Sequence, residues 1–138
     1  MRGAAPVLAL ALVAAACSDT KDLTCRTSPQ REPDEAFEAD ATGGEAWALP
    51  FGPVPVRMDT EWKLVWRMTG EGDFGVTAVD PDGGEHGPVD VTRHEGSNFN
   101  RPGEEWGTVW RFPSGGCWTL EAERGDTRAT LRIPVVEE

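Results

Sequence analysis

Alternation of apolar and polar side chains with a period of two restricts most strongly what this chain can fold into. In the segment EWKLVWRMT, the side chains of Trp62, Leu64, Trp66 and Met68 fall on one face, whereas Lys63 falls on the other. Comparable alternation recurs in FGVTAVD, GPVDVTRHE, GTVWRFP, GCWTLEAER and TRATLRIPV. A period of two indicates β-strands that bury one face and expose the other.

Glycine-rich breaks separate these segments and fit hairpin turns, as in GEGD, PDGG, SGG and RGD. Residues Trp47–Phe51 and Val54–Met58 could add one or two strands, and their prolines suit the edge of a sheet. The pattern therefore predicts six or seven short strands. Such a set predicts an immunoglobulin-like antiparallel β-sandwich, with a small β-barrel as the alternative.

The N-terminus carries the features of an export signal. Arg2 precedes an apolar run, Val7–Ala16, which is shorter than the about 20 residues that a membrane span needs. We expect a signal peptide over residues 1–16. The small residues before Cys17 resemble the lipobox of bacterial lipoproteins, although Ala14 stands where leucine or valine is usual. Acylation of Cys17 would anchor an exported protein to the cell membrane, outside the cytoplasm; cleavage without a lipid is the alternative.

The rest of the chain divides into a leader and one domain. Residues 17–44 are rich in charge and predict a flexible acidic tether, and residues 45–138 form the predicted sandwich. Loss of residues 1–16 removes Arg2 and leaves 12 basic residues against 24 acidic ones. Since an acidic surface repels phosphate, we expect no nucleic-acid partner, and membrane contact only through the lipid.

Three cysteines in an exported chain need an explanation, because an odd number leaves one without a partner. If Cys17 carries the lipid, Cys25 and Cys117 remain to form a disulfide, which exported compartments permit. That bridge would stabilise the fold by about 4–5 kcal/mol in the chain-entropy view. The alternatives are a Cys17–Cys25 bridge or a free thiol.

The segment HEGSNFNRPGEEWG, from His94 to Gly107, is the candidate binding loop. Long loops in compact domains are uncommon and often functional. Amides, an arginine and aromatic rings suit recognition of an envelope protein or a glycan. The candidate ligand-binding residues are His94, Asn98, Asn100, Arg101, Glu105 and Trp106. The alternative is that Trp106 closes one end of the sandwich.

No motif in the sequence indicates catalysis. Its two histidines, His86 and His94, fall in no metal-protease spacing, and neither a GxSxG motif nor a phosphate loop is present. We therefore predict a non-catalytic protein without a cofactor. An alternative is an envelope protein that binds a divalent metal, with Ca²⁺ at Asp80, Asp82 and Asp90 or with copper or zinc at the histidines.

The stretch EEWGTVWRFPSGGCWTL resembles a segment of small, uncharacterised exported proteins and lipoproteins of bacteria. The matching residues are Gly96-Ser97, Pro102-Gly103, Trp106-Gly107, Phe112-Pro113 and Gly116-Cys117-Trp118. The resemblance covers about residues 60–136. It implies an immunoglobulin-like domain and brings no activity.

Overall fold

The computed structural model describes Cys25 and residues 35–137, and residues 35–137 contain β-strands and no α-helix. The strands are β1 (Phe37–Glu38), β2 (Asp40–Thr42), β3 (Ala46–Phe51), β4 (Val56–Arg57), β5 (Trp62–Met68), β6 (Phe74–Val79), β7 (Glu85–His86), β8 (Asp90–His94), β9 (Glu104–Trp110), β10 (Gly116–Arg124) and β11 (Thr127–Val136). The predicted signal peptide and Cys17 lie outside the described residues. Within the described part, no helix has the length and apolar character needed to cross a membrane.

The strands form two sheets that pack face to face. Sheet A has the order β1-β3-β5-β9-β8, and sheet B has the order β2-β11-β10-β6-β7, with the short β4 parallel to the end of β11. The main strands of sheet A correspond to the order A-B-E-D of immunoglobulin domains, and β11, β10 and β6 correspond to G-F-C. The predicted β-sandwich is therefore confirmed, and the sheets do not close into a barrel.

The core lies between the inner faces of the two sheets and is rich in tryptophan. The alternation predicted for β5 is confirmed, because Trp62, Leu64, Trp66 and Met68 are at most 3% exposed. From sheet B, Trp118 and Leu120 are fully buried against them. Large aromatic side chains let so small a domain bury enough apolar surface.

The sandwich begins earlier than the sequence indicated. β1 and β2 lie within residues 37–42, which the sequence assigned to the flexible tether. Phe37 and Ala39 are each only 6% exposed, and β1 joins sheet A whereas β2 joins sheet B. The part of the predicted tether that precedes residue 35 lies outside the described residues, apart from Cys25.

Cys25 and Cys117 form the predicted disulfide, with their Cα atoms 5.7 Å apart and a sequence separation of 92. The bridge ties the leader to the start of β10. It differs from the bridge of antibody domains, which joins the two sheets. It therefore closes a long loop of the chain and fixes where the leader meets the domain.

Candidate functional site

Residues 95–103, called here the β8–β9 loop, connect two strands of sheet A. Arg67 in β5 holds this loop to the sheet. The Nε of Arg67 donates a hydrogen bond to the carbonyl of Phe99 at 2.9 Å, and a terminal nitrogen of the same guanidinium donates to the carbonyl of Gly103. Two backbone carbonyls of the loop are thereby fixed to a strand inside the sheet.

Glu105 is a buried carboxylate at the base of the loop, with 4% of its side chain exposed. Strand register brings Arg67, Glu105 and His94 side by side on β5, β9 and β8. The Oε2 of Glu105 is 3.0 Å from Nδ1 of His94, and its Oε1 is 3.6 Å from Nε of Arg67. Ser97 donates a hydrogen bond to Oε1. Because a buried charge is costly unless it has partners, these three contacts make Glu105 an anchor for the loop.

Gly107 leaves room for the imidazole of His94. A Cβ atom at Gly107 would lie 2.7 Å from Cε1 of His94, which is too close for a real contact. The missing side chain therefore lets the ring lie over β9 and reach Glu105. This close approach explains why glycine follows Trp106 in the sequence.

The exposed part of the loop presents three of the predicted binding residues. Asn98, Asn100 and Arg101 are exposed. The guanidinium of Arg101 lies 4.0 Å from the ring centre of Trp47 on β3, so that this end of the loop also contacts the sheet. Amide and guanidinium groups offer donors and acceptors to a partner.

An open cavity of about 250 Å³ lies beside the loop. Its charged lining residues are Arg67, Arg93, His94, Glu95, Glu104 and Glu105. Arg93 is 2.8 Å from Glu104 and 4.0 Å from Glu95, so opposite charges face each other within the lining. This matching favours a neutral group that forms hydrogen bonds over an ion.

Trp106 belongs to the core and not to the exposed surface at which the sequence predicts ligand binding. The side chain is 7% exposed and stacks on Phe74 of sheet B, with ring centres 4.8 Å apart. Glu105 is likewise too buried to meet a large partner and instead positions the loop. The alternative, in which Trp106 closes one end of the sandwich, agrees with these contacts.

The sequence did not single out Arg124, which closes the same end of the core. Arg124 is 8% exposed, and its guanidinium lies 4.9 Å from the ring centre of Trp106. It donates to the carbonyls of Met68 and Gly72, each at 3.1 Å, and also to Glu104. The sequence does contain a signal for this role. The alternation of buried residues from Trp118 through Ala122 continues to Arg124, which places a charged residue on the buried face of β10.

The residues of the metal alternative are not gathered into a site. Within residues 35–137 and Cys25, no group of three or more histidine, cysteine, aspartate or glutamate side chains could hold a metal ion. Asp80 instead accepts hydrogen bonds from the N–H groups of Asp82 and Gly84, each at 2.9 Å, in the turn between β6 and β7. Asp90 accepts one from Thr92.

The two histidines lie in different sheets with different acidic partners. His86 in β7 is 2.8 Å from Asp80, and its ring contacts Trp118. The hydrogen bonds from His86 and Gly84 hold the pKa of Asp80 below its usual value, because they stabilise the charged carboxylate. His94 pairs with Glu105 in sheet A. Neither pair forms the centre that the sequence suggested for copper or zinc.

Comparison of the chain with protein-family models, with curated proteins and with solved structures found no match.

Proposed function

We propose that this chain is an exported, lipid-anchored binding module, which recognises an envelope protein or a glycan through the β8–β9 loop and catalyses no reaction. The export signal, the lipid on Cys17 and the absence of a catalytic motif rest on the sequence. The binding role is supported by one observation: the β8–β9 loop is exposed, and the buried carboxylate of Glu105 anchors its base to the sheet.

Anchoring of the loop matters because binding normally costs entropy when a loop becomes ordered. Arg67, Ser97 and His94 fix the backbone around Glu105 before any partner arrives. The backbone that carries the exposed side chains of Asn98 and Asn100 is therefore already ordered when a partner binds. This is the arrangement expected of a recognition loop, whereas a loop that serves only as a connection needs no buried ion pair.

The chemistry of the loop favours a neutral, polar partner surface. Its amides both donate and accept hydrogen bonds, and charges of opposite sign are paired in the lining of the adjoining cavity. Hydroxyl groups of a glycan or backbone amides of a protein satisfy such groups. A phosphate-rich partner is disfavoured by the acidic chain as a whole.

The test is binding of the full chain to two probes, purified cell-wall sacculi and detergent-solubilised envelope proteins. The double variant with Asn98→Ala and Asn100→Ala should lose at least about tenfold in affinity for one probe, equivalent to about 1.4 kcal/mol. Its melting temperature should stay close to that of the unaltered chain, because both side chains are exposed.

A matched control removes an exposed hydroxyl side chain at the opposite end of the sandwich, with Ser114→Ala. We expect this control to bind like the unaltered chain. If the loop variant and the control bind both probes equally well, the β8–β9 loop is not the binding surface and the proposal fails.

A further inference from the structure

The disulfide and the β8–β9 loop lie at opposite ends of the sandwich. β10 runs from Gly116 to Arg124, with Cys117 near its start. At its other end, Arg124 bonds to Glu104, the residue that follows the loop. Strand residues rise by about 3.3 Å each, so the seven steps from Cys117 to Arg124 span about 23 Å.

The strand pairing in each sheet also separates a loop end of the sandwich from a far end. In sheet A, Met68 pairs with Glu104 at the loop end, and Trp62 pairs with Trp110 at the far end. In sheet B, β11 begins opposite Arg124 and reaches Gly116 with Val135. The far end is therefore the end at which the leader is bonded to the domain.

Cys25 follows Cys17 by only eight positions in the sequence. A fully extended chain advances by at most about 3.6 Å per residue, so this leader reaches about 29 Å. If Cys17 carries a lipid, the Cys117 end of the sandwich is held close to the membrane, while the β8–β9 loop stands a further strand length away.

We infer that the Cys25–Cys117 disulfide sets the orientation of the domain, with the Cys117 end toward the lipid and the β8–β9 loop directed outward. This inference rests on the lipid anchor of the proposed function. It deepens that function, since the partner of the loop is met on the side away from the membrane and is not a lipid headgroup. The acidic chain supports this, because anionic headgroups repel it.

The disulfide shortens the stretch of chain between Cys17 and its first attachment to the domain. Without it, the next strand that the described residues show along the chain is β1, which begins at Phe37, twenty positions after Cys17. A chain of twenty residues reaches about 72 Å when extended, so it no longer holds the Cys117 end near the lipid. Removal of the bridge should therefore abolish the preferred orientation while the lipid remains in place.

The experiment measures energy transfer from a fluorophore on the protein to an acceptor on lipid headgroups. The acylated full chain is reconstituted into phosphatidylcholine vesicles, with a donor attached through a clickable amino acid at position 98 or position 114. Ser114 lies at the Cys117 end and Asn98 in the loop, and both are exposed. We expect transfer from position 114 to be severalfold greater than transfer from position 98.

The matched control is the pair of substitutions Cys25→Ser and Cys117→Ser, which should bring the two transfer efficiencies together. Circular dichroism checks that this variant retains its sheets. Equal or reversed transfer in the acylated, disulfide-bonded chain overturns the orientation. A chain whose intact mass shows no acyl group at Cys17 overturns the anchor of the proposed function, and the orientation with it. Binding by the loop is measured in a separate experiment, so failure of the orientation can be distinguished from failure of the proposed binding role.

Discussion

At the scale of single residues, Glu105 and Trp106 show how one step along a strand separates two roles. Side chains alternate between the faces of β9, so Glu105 meets Arg67 and His94 on the outer face, whereas Trp106 enters the core. β9 begins at Glu104, three residues before the strand segment expected at Gly107. A strand that begins at Gly107, as the alternation predicts, would leave Trp106 in the loop beside the candidate binding residues.

The residue-scale prediction concerns stability. Trp106→Ala should lower the free energy of unfolding by about 3–5 kcal/mol, because it removes a buried ring that stacks on Phe74. Urea unfolding followed by circular dichroism measures the change. Asn98→Ala is the control in the neighbouring loop and should change stability by no more than about 0.5 kcal/mol. A Trp106→Ala chain as stable as the unaltered one would contradict the packing described for this end of the core.

At the scale of strands, alternation predicted the long elements but missed the first two. Residues 37–40 also alternate, since Phe37 and Ala39 are buried whereas Glu38 and Asp40 are exposed. Alanine gives weak apolar contrast, so the sequence pattern predicts no strand in this acidic stretch. Which sheet each strand joins depends on packing between distant segments. For this reason, the sequence could not show that Arg67 would hold the β8–β9 loop.

Among the described residues, β8 is an edge strand of sheet A, and the exposed side chain of Arg93 places a charge on it. Val91 and Arg93 point to the same side of β8, and both are exposed, at 43% and 55%. Val89, two positions earlier, is 59% exposed. A charge within such a row discourages edge-to-edge association.

The strand-scale prediction is that Arg93→Val promotes self-association, since it extends the exposed apolar row along an open edge. Sedimentation velocity over a range of protein concentrations should show dimers or larger species that the unaltered chain lacks. Arg128→Val is the matched control: Arg128 is also exposed and paired with a glutamate, but it lies on β11, which is flanked by β2 and β10. Equal association of the two variants would mean that the edge position is not responsible.

For the whole molecule, the sequence predicted the class of fold and, through the count of cysteines, the pair that forms the bridge. It could not predict that the bridge and the β8–β9 loop lie at opposite ends, because this depends on the path of β9 and β10 between the sheets. The export signal and the lipid on Cys17 stay predictions of the sequence.

The prediction at this scale is that reduction of the Cys25–Cys117 bridge lowers the free energy of unfolding by about 4–5 kcal/mol, without loss of the sheets. A link across 92 residues restricts the unfolded chain, and its removal restores that freedom. Urea unfolding with and without a reductant measures the change, and the Cys25→Ser, Cys117→Ser variant should show no response to the reductant. Unchanged stability after complete reduction would show that the bridge contributes little to the fold.

The tryptophan-rich core also determines how the protein absorbs and emits light. The chain has six tryptophans and no tyrosine. Five of the six are buried between the sheets, and Trp110 and Trp118 both pack on Phe112. Its near-ultraviolet circular dichroism and intrinsic fluorescence therefore come almost entirely from the sheet interface. Separation of the two sheets will shift the emission to longer wavelengths, so the unlabelled protein carries its own optical reporter of folding.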